Sequence, residues 1–359
     1  MDRSWQVVVM YIMTHLSLIF FLYPRNIIAS SNEGHWMLIV VGLIIHFIII
    51  TVYTKGLNYC PNKDIISIYL GVGKGVAVLF LLPITVFFIA ISIITVRAYS
   101  EIILITFLSK TPLWSILTLL FLVSAYLASK GVEVIFRTGV LIACLFFPLI
   151  ILIFSSSFQN TDWHYAFPIM NKQLSFFTNS SFYVSFFAIG GSFLFLGFIQ
   201  PFLTFQRKKI FLGAIILIPC YILAVYIPLL TFGQNTASTL MYPLIMALDT
   251  VELNWLMFDR VTSFFLLSLI TFTMLFISLF LWNTVRIFNT CFPSIKPIYF
   301  ILSITIFNFI ICLLIPDWDT IEKLFVWNSF LRFFVMIAVP ISVYFCGKRL
   351  WREGNIGKI

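Results

Sequence analysis

Charge is what this chain has least of. Only 10% of its 359 residues are Asp, Glu, Lys or Arg, and 61% are hydrophobic. A water-soluble domain carries about 25% charged residues, and no two-layer soluble fold hides so much apolar surface. Cysteine is sparse as well. Of the six, Cys144, Cys220 and Cys312 lie inside apolar runs and Cys60, Cys291 and Cys346 beside them. That spacing suggests neither a disulfide scaffold nor a zinc site. The four histidines, at 15, 35, 46 and 164, have no metal-ligand partner at useful spacing, so no metal and no other cofactor is expected. No carboxylate stands centrally in an apolar run, which removes the usual relay of a proton-driven carrier. The His, Asp or Glu cluster that a membrane enzyme gathers at one face is missing, and the chain reads as a non-enzyme. The first apolar run has no small-residue cleavage site after it but Tyr23-Pro24-Arg25, so it reads as retained and not as a signal peptide. No soluble domain is expected at either end.

What the chain has is long apolar runs. A membrane-spanning helix needs about 20 such residues. The runs predict an all-α transmembrane fold of ten spans, at about 5–23, 36–54, 76–96, 112–128, 138–155, 182–205, 210–232, 261–285, 298–315 and 324–346. Uninterrupted runs of this length exclude a β-barrel, whose strands are short and alternate. Basic residues accumulate on the cytoplasmic side. With the N-terminus inside, the inner set is Arg3, Lys55, Lys63, Lys74, Lys130, Arg137, Arg207, Lys208, Lys209, Arg286, Lys296, Lys348, Arg349, Arg352 and Lys358. The outer set is the smaller one: Arg25, Arg97, Lys110, Lys172, Arg260, Lys323 and Arg332. The asymmetry predicts both termini cytoplasmic. The net charge of +9 then reports topology and contact with anionic membrane lipid, and no motif points to nucleic acid.

Two long outer connections are expected, at 156–181 and 233–260. Trp163, Trp255 and Trp318 suit headgroup depth as anchors, and Asn179-Ser180-Ser181 matches the weak glycosylation pattern.

Two spans carry residues that a plain helix resists. Span one has Ser17 through Pro24, and span six has Gly190-Gly191-Ser192 followed by Gly197 and Pro201. The bland reading is close helix packing through small residues. Position favours a second reading. Spans one and six open two five-span halves, about 5–155 and 182–346, and inverted five-plus-five repeats place discontinuous helices there, around a midplane ligand. The whole chain, 1–359, then forms a single polytopic domain. Ser17, Phe20, Phe21, Phe187, Gly190, Gly191, Ser192 and Phe193 are the candidate ligand-binding residues, with hydroxyls, freed backbone groups and apolar wall. The cavity is expected to be nearly neutral.

Few charges approach the apolar zone. Arg97 and Glu101 are four apart and share a helix face. Asn328 and Arg332 are also four apart, in the outer third of span ten. An ionisable residue there is a functional candidate, or its head snorkels to the outer headgroups. His15 and His46 read as helix–helix hydrogen bonders.

Four stretches carry a family likeness: Gln6 to Tyr23-Pro24-Arg25 and on to Glu33-Gly34-His35-Trp36; Asp162-Trp163-His164-Tyr165-Ala166-Phe167-Pro168; Phe187-Ala188-Ile189-Gly190-Gly191 to Pro201-Phe202; and Phe258-Asp259-Arg260. With them the chain resembles, over essentially its whole length, the spore germination proteins of the GerAB type. These are the membrane-embedded B subunits of nutrient germinant receptors, related to the amino acid–polyamine–organocation transporters. The resemblance implies a receptor subunit of the spore inner membrane that binds a small nutrient, such as an amino acid, sugar or nucleoside. It would signal to A-type and C-type subunits. It also marks Pro24, Pro201 and Arg260, beside Arg97, Glu101, Asn328 and Arg332, as structural or gating candidates. The chain departs from the family pattern where Gly191, Thr262 and Leu269 replace a usual Glu, a usual acid and a usual Trp. The alternative is a secondary transporter of amino acids or related small solutes.

Overall fold

A backbone in hydrocarbon has no water to bond, so an apolar run must satisfy its own amides and carbonyls by coiling. The computed structural model describes residues 3–169, 175–251 and 261–356. Among the described residues the regular structure is all helical, with no strand. The helices are α1 (Arg3–Ile19), α2 (Tyr23–Ser30), α3 (His35–Asn58), α4 (Ile65–Val72), α5 (Lys74–Thr106), α6 (Leu113–Ser129) and α7 (Val132–Ser157). After them come α8 (Ser180–Ser185), α9 (Leu196–Ile199), α10 (Arg207–Ala237), α11 (Pro243–Asp249), α12 (Val261–Cys291), α13 (Pro297–Leu314) and α14 (Trp318–Ile356).

Seven of the described helices are long and apolar enough to cross a membrane. The pair α1 and α2, bent by 54°, makes an eighth if it is one broken span. α6, with 17 residues, sits at the lower end of the length a span requires, about 17–25 residues. Several helices outrun their apolar runs. α5 continues to Thr106, past Arg97 and Glu101, which pair one turn apart. α14 starts at Trp318, where Asp317 accepts from the Thr320 amide at 2.9 Å. α4 was not legible as a separate helix. It starts at Asp64, whose carboxylate accepts from the Ser67 amide at 2.9 Å and pairs with Arg286 of α12.

Side-chain contacts sort the bundle into two ends. At one end, Arg25 pairs with Glu322, Arg97 with Glu101, and Gln234 donates to the Ile28 and Ser31 carbonyls at 3.1 Å each. At the other, Asp64 meets Arg286, Arg207 donates to Thr54 at 3.3 Å, and the Lys55 ammonium lies 5.6 Å from the Tyr344 ring. The basic residues of the second end belong to the set assigned to the inner side.

α3 and α14 cross backbone to backbone at that second end. A Cβ placed on Gly347 would lie 2.5 Å from the Gly56 carbonyl oxygen, and one on Gly56 would lie 2.7 Å from the Tyr344 Cα. Small residues permit such an approach, and no larger side chain fits. In α10, Gly233 takes φ 72°, ψ 165°. That left-handed conformation suits glycine, and it kinks the helix where the Tyr165 ring lies against it.

Candidate binding site at two helix breaks

Proline supplies no amide, and its ring clashes with the carbonyl four residues back. Pro24 therefore forbids α-helix through Phe20. α1 ends at Ile19 and α2 begins at Tyr23. In between, the Phe21 amide turns back to the Leu18 carbonyl at 3.4 Å, so it leaves the Ser17 carbonyl it would otherwise bond. The Tyr99 phenol of α5 donates to that carbonyl instead. The Ser17 hydroxyl itself donates to Thr14 at 2.9 Å.

The second break follows the glycines. α8 ends at Ser185, a 3-10 turn covers Phe186–Ala188, and α9 is only four residues long. The Gly190 amide bonds Phe186 at 2.7 Å and the Leu194 amide bonds Gly191 at 3.1 Å. The carbonyls that lose their helical partners are taken up from three other helices. Tyr53 of α3 donates to Leu194 at 2.9 Å, Tyr221 of α10 to Ala188 at 3.3 Å, and Arg332 of α14 to Val184 at 3.0 Å. The Leu194 carbonyl also accepts from the Gly197 amide at 3.1 Å, and a carbonyl left with no partner at all in hydrocarbon costs several kcal/mol.

All eight candidate ligand residues are buried. Their rings, however, divide among separate clusters. Phe20 packs on Phe154 and Phe265 with centroids at 5.0 and 5.5 Å, and Phe21 stacks on Tyr99 at 4.6 Å. Phe187 meets Phe325 at 4.6 Å, and Phe193 meets Tyr53 at 5.4 Å. The space that the glycines leave is filled. A Cβ on Gly191 would lie 2.5 Å from the Phe87 ring, and one on Gly190 would lie 2.8 Å from Arg332 Cγ.

One face of α5 links the breaks. Phe87, Ile91, Thr95 and Tyr99 follow at intervals of four, so they line up along the helix. Phe87 touches Gly191 and Tyr99 holds Ser17. The Thr95 and Ser192 hydroxyls are buried without a hydrogen-bond partner, so two polar groups remain for a small ligand or water. Sequence reading missed Tyr53, Phe87, Thr95, Tyr99 and Tyr221. For the three tyrosines the available signal was a hydrogen-bonding aromatic inside an apolar run, which the membrane makes expensive unless it has a partner; for Phe87 and Thr95 the sequence offered none.

Arg332 is fully buried and does not snorkel. Its second nitrogen donates to the Phe325 carbonyl at 3.0 Å, and its guanidinium lies 5.4 Å from the Phe187 ring centroid. It thus puts a positive charge beside Gly190, where nearly neutral surroundings were expected. Asn328 is buried with both side-chain polar atoms unpaired. Arg97 is 2% exposed. Besides Glu101 it reaches the Ile315 and Pro316 carbonyls at 3.3 and 3.4 Å, which ties α5 to the α13–α14 turn. Pro24 stands in the first turn of α2, and Pro201 follows α9. Arg260 and Trp255 lie outside the described residues. Thr262 donates to the carboxylate of Asp249 at 2.9 Å.

Other expectations resolve locally. The Asn179 side chain accepts from the Ser181 amide at 3.0 Å and donates to Ala29 at 3.1 Å, which caps α8. Trp318 donates to Glu322 at 2.8 Å. His15 and His46, 31 positions apart in sequence, meet with ring centroids at 5.1 Å. His46 shares a 2.6 Å hydrogen bond with the Tyr11 hydroxyl across two helices, and His15 Nδ1 donates to the Tyr11 carbonyl at 2.7 Å. No group of three or more metal-ligating side chains occurs among the described residues.

Known proteins resemble this chain along most of its length. The family model described as Spore germination protein matches residues 3–319. Spore germination protein KB of Bacillus subtilis (strain 168) is 24% identical over 303 residues, which is 81% of this chain and 79% of that protein. The apolar helices and the extent of that match make this chain an integral membrane protein of the spore germination protein family.

Proposed function

We propose that this chain is the membrane-embedded B subunit of a spore nutrient germinant receptor, sited in the spore inner membrane. In this reading it has ten spans with both termini cytoplasmic. α6 and the α8–α9 stretch complete the count, and the halves 5–155 and 182–346 are inverted repeats. A small nutrient binds between the two breaks and biases the bundle between two packed states, which is all that signalling requires. A-type and C-type subunits carry the signal onward. One observation supports this most directly: carbonyls freed at both breaks are held by side chains of other helices, Tyr53, Tyr99, Tyr221 and Arg332. A ligand that competes for those groups changes how α3, α5, α10 and α14 pack.

The test is ligand protection. In intact receptor carrying Ser192→Cys, the activating nutrient should slow reaction of that cysteine with a thiol reagent. A cysteine inert with and without nutrient would refute the site. Isolation from spore membranes should also recover A-type and C-type proteins. Solute accumulation in liposomes by the purified chain alone would instead favour a secondary transporter.

A further inference from the structure

A cleft of about 220 Å³ opens between α2, α8 and α14, next to the first break. Arg25, Asn26, Ser181, Trp318 and Glu322 give it polar walls, and Val184 and Phe325 also line it. This volume is below the range of about 300–1,000 Å³ typical of drug-sized ligands, so it suits a small solute. The mouth carries both charges, Arg25 and Glu322, paired with each other.

Arg332 lies directly behind two of the lining residues. Its guanidinium donates to the main-chain carbonyls of Val184 and Phe325, both at 3.0 Å. Along α14, Glu322, Phe325, Asn328 and Arg332 follow at intervals of three and four, which places them on one face. That stripe begins in the cleft and ends against Gly190.

Both deeper members of the stripe are buried and incompletely bonded. Arg332 has no exposed surface, and its Nε has no hydrogen-bond partner. It joins none of the ion pairs among the described residues. Asn328 is 7% exposed, with its amide oxygen and nitrogen both unpaired. Capping the end of α8 does not account for a cation here. A neutral donor would do it without the desolvation cost of several kcal/mol that a buried ion carries, and the Phe325 carbonyl already accepts from Ser329 at 3.0 Å. An anionic partner would match the charge and the free Nε of Arg332.

We infer that Arg332 and Asn328 form the recognition pair for a small solute bearing a carboxylate, which reaches them through the α2–α8–α14 cleft. The carboxylate takes the guanidinium from the two carbonyls, because a charge-assisted and bidentate contact is stronger than a neutral one. Asn328, one turn toward the mouth, takes a donor next to that carboxylate. The inference rests on the receptor reading and names its ligand class. It also places recognition on α14, one helix beyond the two breaks.

The test uses full-length protein isolated with its accompanying subunits. The probes are the twenty standard amino acids, the carboxamides of any that bind, D-glucose and inosine. Binding is read as a concentration-dependent shift in thermal unfolding. At least one acid should bind, with its carboxamide at least about 30-fold weaker, as expected on removing one partner of a buried charge pair. Arg332→Gln should lose that binding and Arg332→Lys should keep part of it. If Arg332→Gln does not fold, the acid–amide comparison on the unaltered protein decides. Equal binding of acid and amide, or unchanged binding by a folded Arg332→Gln, overturns the inference. So does binding of D-glucose or inosine alone, which would leave the receptor reading standing. Binding of no probe overturns the inference as well.

Discussion

Single residues at the breaks have little freedom, and substitutions there should be graded by what each meets. A methyl on Gly197 would run into the Tyr53 hydroxyl, which cannot retreat without leaving the Leu194 carbonyl. Gly197→Ala should therefore destabilise the protein by about 1–3 kcal/mol, measured by thermal unfolding in detergent. Gly75→Ala is the control. Nothing lies within 4 Å of its added methyl, and the helical site should be neutral or slightly stabilised. Tyr99→Phe keeps the ring that stacks on Phe21 and removes the donor to Ser17. Leaving that buried carbonyl unpaired should cost about 1–3 kcal/mol, and an unchanged melting temperature would count against the proposed bracing. In the 156–169 connection, the His164 amide and then its imidazole hold the Asp162 carboxyl below its ordinary range. A depressed carboxyl stabilises above its unfolded pKa, near 4, and the effect is lost as pH falls through the lower folded value. Proteolysis of this connection should thus be faster in Asp162→Asn than in the unaltered protein at neutral pH, and the difference should vanish in strong acid.

At the scale of elements, breaks were far more legible than braces. Pro24, Gly190 and Gly191 announce where a helix fails, because an absent amide or Cβ acts locally. Which residue mends the failure is not local. Tyr53 and Leu194 are 141 positions apart, and Tyr99 and Ser17 are 82 apart. The same limit hid the meeting of His15 with His46. Helix ends were misjudged for another reason. Apolar runs report hydrocarbon depth, whereas α5 and α14 extend through polar residues that bond one another or the next turn. The two helix breaks were legible as places, and the contacts that close them were not. Phe87 and Arg332 occupy the space the glycines free. Trimming Phe87 should therefore enlarge the site. Phe87→Ala should raise the reactivity of a cysteine at 192 toward a small thiol reagent, and unchanged reactivity would show that the ring does not control access.

For the whole molecule, each end of the bundle is tied by a charged pair that reaches across helices, Arg25 with Glu322 at one and Asp64 with Arg286 at the other. At the first end Arg97 also joins α5 to the carbonyls of the Ile315–Pro316 turn. Cysteine-accessibility labelling should place residue 167, which is exposed, on the outer side with that end. Residue 208 should be on the inner side, and labelling of both from one side would refute the alternation. At the other end, Gly56 and Gly347 bring α3 and α14 into main-chain contact. Two touching backbones have no side chain between them to re-pack, so that crossing holds α14 to α3 in one fixed register. If a ligand shifts α14 against the rest of the bundle, a cysteine crosslink between α2 and α14 at positions 25 and 322 should abolish nutrient-triggered germination, while one joining α3 and α14 beside the crossing should leave the germination response intact.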